Sequence, residues 1–450
     1  MIEDLRKVAQ PSFAKTNFVG FTESTTQAVV KMLFNDKCES VETLTGQGYV
    51  IFDQTPFYAM GGGQASDQGT MAFQGKTFPV LDVRKDLIKK YFIHAVDIDC
   101  PLQVGDEVTL TIDDEFRTRS SVNHSALHIT WMTIIKLVGH YVDEVGSKLN
   151  KEKYQLQFAV DDAITPDLCV AAMNIVNNEI VPAKIPAHIF EVTYEEAEAK
   201  KYLYDFTKID GDDLVRMVDF KDIVIEPCGG THANHTGEIK KAYFLNYDRN
   251  AKRILIEYTT NEEYAEKYYA EKYFTPLERI KKLMKTNPDL DFAAEKAELD
   301  ALGDSVSYIE IKKINKILND VTLKVNKKRV ELQKDKMNTF LNTELVFETY
   351  HQFDVIQLND DLIDNKILLA KASDILKVKK DAKLVFINQT EDETIALLVC
   401  DRSNSFNIKD YLADFLATSN FKGGGSPSMV SLKTTDASCV GELLAYLKTK

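Results

Sequence analysis

Long apolar runs are missing from this chain of 450 residues. A helix that spans a bilayer needs about 20 consecutive apolar residues, so a membrane-spanning protein is excluded by expectation. The opening stretch, MIEDLRKVAQ, is charged and has no apolar core, so it is not expected to act as a secretory leader. Cysteine is scarce: Cys38, Cys100, Cys169, Cys228, Cys400 and Cys439 are scattered singly. That pattern argues against a disulfide framework and suits a reducing compartment, so a soluble cytoplasmic protein is expected. Repeats at a solenoid period and low-complexity segments are also absent. Positive charge is in deficit, with 55 Lys and Arg against 69 Asp and Glu and a net charge of -14, so contact with a polyanion requires a local basic patch.

What is present is globular and built in several parts, since 44% hydrophobic residues over this length supply more than one core. An α+β protein is expected. Residues 1–115 read as a β-rich, barrel-like domain, because the short apolar runs GYVIFD, GTMAFQG, FPVLDV, YFIHAVDI and EVTLTI are broken by Gly, Pro and Asp. Residues 116–260 alternate helical stretches with strands. Residues 261–344 are almost free of glycine, and Ile311, Ile314, Leu318, Val321, Val325 and Leu332 recur at a 3–4 spacing, predicting a long helix or one arm of a helical hairpin. Within it, residues 312–336 hold nine Lys or Arg against three Asp or Glu, which read either as a solvated face or as a basic patch. Residues 345–450 read as a separate α/β domain.

Histidine is limited to eight residues, yet four of the best zinc donors fall in two compact pairs. NHSALH places His124 and His128 four apart on a predicted helix, where i and i+4 side chains share a face. IEPCGGTHANHTGEI places Cys228 and His232 around two glycines. Three nitrogens and a sulfur favour zinc over magnesium or calcium, which prefer oxygen. Asn234 and His235 are either groups that orient a ligand or exposed turn residues. A further stretch, FDQTPFYAMGGGQASDQG at 52–69, offers Thr55, Tyr58, Gly61, Gly62, Gly63 and Gln64. Its glycines allow a ligand close to the backbone, and Thr and Gln supply neutral hydrogen-bonding groups. The stretch lacks the Lys and Ser/Thr ending of a phosphate-binding loop, and a glycine-rich hairpin is the plain alternative.

In order along the chain, TPFYAMGGGQASDQG, NHSALH, the pair Gly146 and Ser147, CGGTH and TGEI resemble the editing half of alanyl-tRNA synthetases and the free-standing alanyl-tRNA editing proteins. FKGGGSPSM at 421–429 resembles the glycine-rich turn of their C-terminal tRNA-contacting domain, called DHHA1. The resemblance implies hydrolysis of serine, and sometimes glycine, wrongly esterified to alanine tRNA at a zinc site held by His124, His128, Cys228 and His232. Serine carries a hydroxyl that alanine lacks, and Thr55, helped by Gln64, is the candidate to receive it, with Tyr58 and Gly61 to Gly63 as candidate substrate-binding residues. The glycine turn at Gly423, Gly424 and Gly425 and the basic stretch with Lys327, Lys328 and Arg329 are the expected tRNA contacts, and the competing account is homodimerisation through the 262–343 helices and the C-terminal domain. Two departures stand out: Met60 occupies a position where the family commonly has an acidic residue, and LKTTD follows the C-terminal glycines. Residues 1–17 are too few for an amino-acid-activating domain, so this stretch of chain is not expected to charge tRNA by itself. Alternatives are the carboxyl half of a split synthetase, a catalytically silent tRNA-binding protein, and threonine tRNA as substrate. Whether zinc acts on the ester or only holds the pocket stays open.

Overall fold

The computed structural model describes residues 5–6, 13, 15–200, 214–303, 306–390 and 392–449. The chain forms two compact units, one of residues 1–278 with 302–315 and the other of 279–301 with 316–450. The segment 261–344 is therefore divided between them.

The first unit begins with β1 (Thr25–Asn35), β2 (Thr43–Phe52), β3 (Gly69–Phe73), β4 (Lys76–Lys85), β5 (Phe92–Gln103) and β6 (Glu107–Ile112). Hydrogen bonding runs β1-β2-β5-β4-β3-β6, and the first half of β1 pairs back onto β6, which closes a six-stranded barrel. Alternation drives the closure. In β5, Val96, Ile98 and Cys100 point inward and are buried, while Asp97 and Asp99 face water. Val30, Phe52, Met71, Val83 and Leu110 fill the interior, each fully buried. Such a side chain contributes roughly 1.5–3 kcal/mol of hydrophobic stabilisation.

The barrel leads into α1 (Asp114–Val138), whose start is capped by Asp113 accepting from the Phe116 N–H, with Asp114 and Glu115 in the first turn. Gly139, at φ 82°, ends it in the left-handed conformation. Then come β7 (Glu144–Leu149), β8 (Tyr154–Ala159), α2 (Pro166–Ile175), β9 (Ala187–Thr193), α3 (Tyr194–Ala199), β10 (Leu214–Phe220), β11 (Val224–Pro227), β12 (Tyr243–Arg249) and β13 (Arg253–Thr259). One antiparallel sheet runs β7-β8-β13-β12 and a second runs β9-β10-β11. Ile129, Trp131 and Ile134 of α1 share a core with Leu156, Phe158, Ile256 and Tyr258 of the larger sheet.

The helical segment consists of α4 (Glu262–Tyr269), α5 (Thr275–Thr286), α6 (Ala293–Asp300) and the 35-residue α7 (Tyr308–Asn342). Ile311, Ile314 and Val321 of the expected stripe are buried, whereas Leu332 is exposed, because the apolar spacing breaks at Lys328.

The second unit carries β14 (Glu348–Tyr350), β15 (Phe353–Leu358), α8 (Asn365–Val378), β16 (Lys383–Gln389), β17 (Thr394–Cys400), α9 (Ile408–Tyr411), α10 (Ala413–Thr418), β18 (Lys422–Ser426), β19 (Met429–Thr434) and α11 (Cys439–Thr449). The sheet runs β14-β15-β16-β17-β19-β18. Both faces of its centre are covered, so β16 is apolar over its central residues 384–387: Leu384 and Phe386 join one core, Val385 and Ile387 the other. The sequence suggests a turn at Gly423 to Gly425, but these residues form the edge strand β18, paired to β19. A Cβ at Gly423 or Gly425 would lie 2.1 or 1.9 Å from the Ser431 or Met429 carbonyl oxygen, so the glycines serve close strand approach.

Candidate metal centre

Helix α1 is buried over residues 120–135 although it carries Ser120, Ser121, Asn123, His124, Ser125, His128, Thr130 and Thr133 there. Buried polar groups need partners, and here many of the partners converge on one point. The ligand atoms of His124, His128, Cys228 and His232 all lie within 4.8 Å of one another, the one such group of His, Cys, Asp or Glu among the described residues. Cys228 Sγ is 3.5 Å from His124 Nε2 and 3.2 Å from His232 Nε2.

The outer ring nitrogens are tied back. His124 Nδ1 sits 2.8 Å from Gln64 Oε1, His232 Nδ1 3.1 Å from Ser125 Oγ, and His128 Nδ1 against Glu226 Oε1. If each Nδ1 holds the proton, each Nε2 presents a lone pair inward, the arrangement that orients histidine ligands in metal sites. His128 Nε2 is buried and has no hydrogen-bond partner. Burial lowers all three imidazole pKa values, that of His128 to about 3, so the rings are neutral as ligands must be. Burial also pushes the Cys228 thiol up to about 11, opposed by the Gly230 N–H and the Arg216 guanidinium. Three neutral imidazoles and a sulfur fit a borderline-soft divalent ion, and the group can hold a metal.

The supports explain the motifs. Gln64 is fully buried; its Oε1 also accepts from the Thr231 N–H at 3.0 Å and its Nε2 donates to Thr231 Oγ1 at 2.8 Å. It orients His124 and the CGGTH loop. A Cβ at Gly230 would sit 2.0 Å from His124 Cε1, so the second glycine is required by the imidazole packed on it. Arg216 donates to the Cys228 and Gly230 carbonyls at 2.6 and 3.0 Å. Arg117 donates to Asp67 and to the Pro56 carbonyl, clamping the 52–69 stretch to α1, while Asp67 accepts from the Tyr58 N–H at 2.7 Å.

A cavity of about 810 Å³ opens beside this His and Cys group. Tyr58, Gly61, Gly62 and Gly63 line it with Met60, Trp131, Ser147, His124, His128 and Cys228. Burial raises the Tyr58 pKa, and its hydroxyl donates to the Gly61 carbonyl at 3.0 Å. Met60 is 40% exposed, an apolar side chain at a cavity wall. Thr55 is placed differently from the sequence expectation. It is fully buried, its hydroxyl is 2.8 Å from His94 Nε2, and it accepts from the Phe57 N–H at 3.2 Å. It does not line this cavity. Asn234 and His235 stay outside the group; Asn234 donates to Glu238 at 2.9 Å, and His235 lies 4.0 Å from the same carboxylate. Of the basic stretch, Lys328 pairs with Asp289, Lys324 with Glu295, Lys316 with Glu298 and Lys336 with Asp360, and Arg329 donates to the Asp361 carbonyl. Lys327 is exposed, as are Gly423, Gly424 and Gly425.

Sequence reasoning missed Glu226, Ser125, Thr231, Trp131 and Arg216. Glu226 carried a readable signal, since in an extended segment residues two apart share a face and Glu226 stands two before Cys228.

Comparison with known proteins follows the same lines. Residues 2–116 match the family described as tRNA synthetases class II (A), and residues 215–255 match the threonyl and alanyl tRNA synthetase second additional domain. The alanine–tRNA ligase of Acetivibrio thermocellus is 30% identical over 78% of this chain and 39% of its own. That of Saccharophagus degradans is 26% identical over 96% of this chain and 48% of its own. The C-Ala domain structure of Aquifex aeolicus alanyl-tRNA synthetase aligns at 13% identity over 23% of this chain and 99% of that chain, with a TM-score of 0.20, too low to carry an argument. The chain spans less than half the length of either ligase. It is thus related, over nearly its whole sequence, to the alanyl-tRNA synthetases, and its segment 215–255 matches their second additional domain.

Proposed function

We propose that this chain hydrolyses the ester of wrongly charged alanine tRNA, removing serine and secondarily glycine, at a zinc ion held by His124, His128, Cys228 and His232. The observation that carries the reading is the convergence of four donors within 4.8 Å beside an open cavity, with His128 Nε2 unpartnered. Zinc, when bound, supplies positive charge that polarises the ester carbonyl. The chain's own groups do the rest. Gln64, Ser125 and Glu226 hold the three imidazoles in their ligating orientation, and Gly61 to Gly63 bring bare backbone to the cavity wall, where an acyl group and ribose can approach. Arg6, Lys85 and Lys89 also line the cavity and favour the terminal phosphates of a tRNA. Thr55, engaged with His94, supports the barrel, and its role as receiver of the serine hydroxyl is given up in this reading.

Farther from the site, the exposed Lys327, the neighbouring Arg329 and the side-chain-free strand at Gly423 to Gly425 are the proposed tRNA contacts, Lys328 being held by Asp289. The test is a deacylation assay offering seryl, glycyl and alanyl esters of alanine tRNA, with and without a strong chelator. The seryl ester should be cleaved fastest and only without chelator. Equal cleavage of all three, or none, would overturn the reading.

A further inference from the structure

A second cavity, of about 560 Å³, borders the same His and Cys group: His232 lines it, whereas His124, His128 and Cys228 line the larger one. Its wall holds a cation short of an anion. Arg216 donates from Nη1 to the Cys228 and Gly230 carbonyls, but among the described residues its Nε and Nη2 make no hydrogen bond and its guanidinium no ion pair. The guanidinium carbon lies 4.2 Å from the ring centroid of Phe21, which lines this cavity and not the larger one. Burial strips water from the Arg216 charge and lowers its pKa, opposed in part by Cys228, Tyr58 and Glu191. Arg117, on the same wall, is by contrast neutralised by Asp67.

A carboxylate stands opposite. In the β9–β10 ladder Glu191 is the direct partner of Arg216, so both side chains rise from one face of the sheet, with Cβ atoms about 4.5–5.5 Å apart. Glu191 is exposed, lines the cavity and has no hydrogen-bond or ion-pair partner for its carboxylate among the described residues. The pair that strand register brings together is thus left open, because Arg216 leans on Phe21 and the CGGTH loop instead. We infer that this cavity binds a free α-amino acid as its zwitterion, with the carboxylate on the Arg216 guanidinium and the ammonium on Glu191.

An α-amino acid carries opposite charges a few ångströms apart, and Nε with Nη2 offers its carboxylate the two parallel donors that a guanidinium fork provides. A simple anion fits less well. Glu191 and Glu238, which also lines the cavity, repel a phosphate but attract an ammonium. If the chain cleaves aminoacyl esters as proposed, the released amino acid is the occupant at hand; that part rests on the proposed hydrolysis, while the binding itself does not.

Equilibrium dialysis of radiolabelled serine against the unaltered full chain tests the site without turnover. Serine, alanine and glycine should bind with similar affinity, because only their charged ends are read. Lactate, which lacks the ammonium, and serinamide, which lacks the carboxylate, should compete at least about 10-fold more weakly. Glu191→Gln, at an exposed strand position, should weaken serine about 3- to 10-fold. Serine binding that survives this replacement intact, as it would if the amino acid sat on a metal in the larger cavity, overturns the assignment. So does phosphate that displaces serine more strongly than alanine does. No serine binding at millimolar concentration overturns it too, and leaves ester hydrolysis untouched. Serine binding by a protein that cleaves no ester removes the proposed hydrolysis and keeps the site.

Discussion

At the scale of single residues, the site depends on contacts with no slack. Gly230 has His124 where its side chain would be, so Gly230→Ala must push the imidazole aside or tilt the CGGTH loop. Overpacking of this kind typically costs about 1–3 kcal/mol. The expected outcome is a lower Tm together with weakened metal binding, read by competition with a chromophoric chelator. Unchanged metal affinity would show that His124 is not a ligand. Such residues divide by how legible they were. The four donors could be read because histidine and cysteine are rare and fall in compact pairs. Thr231 could not, because a threonine in a turn has many uses, and only its partners in three dimensions give it one. Thr55 was misplaced for the same reason: its sequence neighbours are cavity residues, but its hydroxyl turns to His94, 39 positions away.

At the scale of elements, the 52–69 stretch is held against α1 by one buried ion pair. Asp67 is 1% exposed in its side chain and Arg117 13%, and Arg117 also donates to the Pro56 carbonyl. Breaking such a pair leaves a buried charge uncompensated, at about 3–5 kcal/mol. Asp67→Ala should therefore destabilise the first unit strongly, whereas Asp67→Asn, which retains an acceptor for the Tyr58 N–H, should cost less; urea midpoints of the two variants check the order. Equal midpoints would mean that the Tyr58 contact is irrelevant. Strands of the barrel and the two-faced strand β16 were legible from alternation and from continuous apolar runs. Strand β18 was not, since KGGGS has neither β-branched nor aromatic residues and forms a strand only because β19 needs close approach of a bare backbone.

At the scale of the whole molecule, the net charge of -14 makes the proposed tRNA binding a matter of a few cations. Five lysines of the basic stretch have carboxylate partners among the described residues, Lys313 with Glu310 in addition to those named above, which a count of charges along the sequence did not reveal. A double replacement, Lys327→Ala with Arg329→Ala, is expected to weaken tRNA binding and reduce the slope of log affinity against log salt by up to about 2, with metal content unchanged. If the slope stays fixed while the association state changes, α7 is a dimerisation arm instead. Cutting the chain at residue 261 is a poorer test, because Tyr308 packs on Phe244 in the first unit and would be lost. The decisive measurement is the rate of seryl ester hydrolysis as zinc is added back to metal-free protein. The rate should rise in proportion and level off at one zinc per chain. A metal-free protein as active as the zinc-loaded one would contradict the assignment of His124, His128, Cys228 and His232 to a metal that serves hydrolysis.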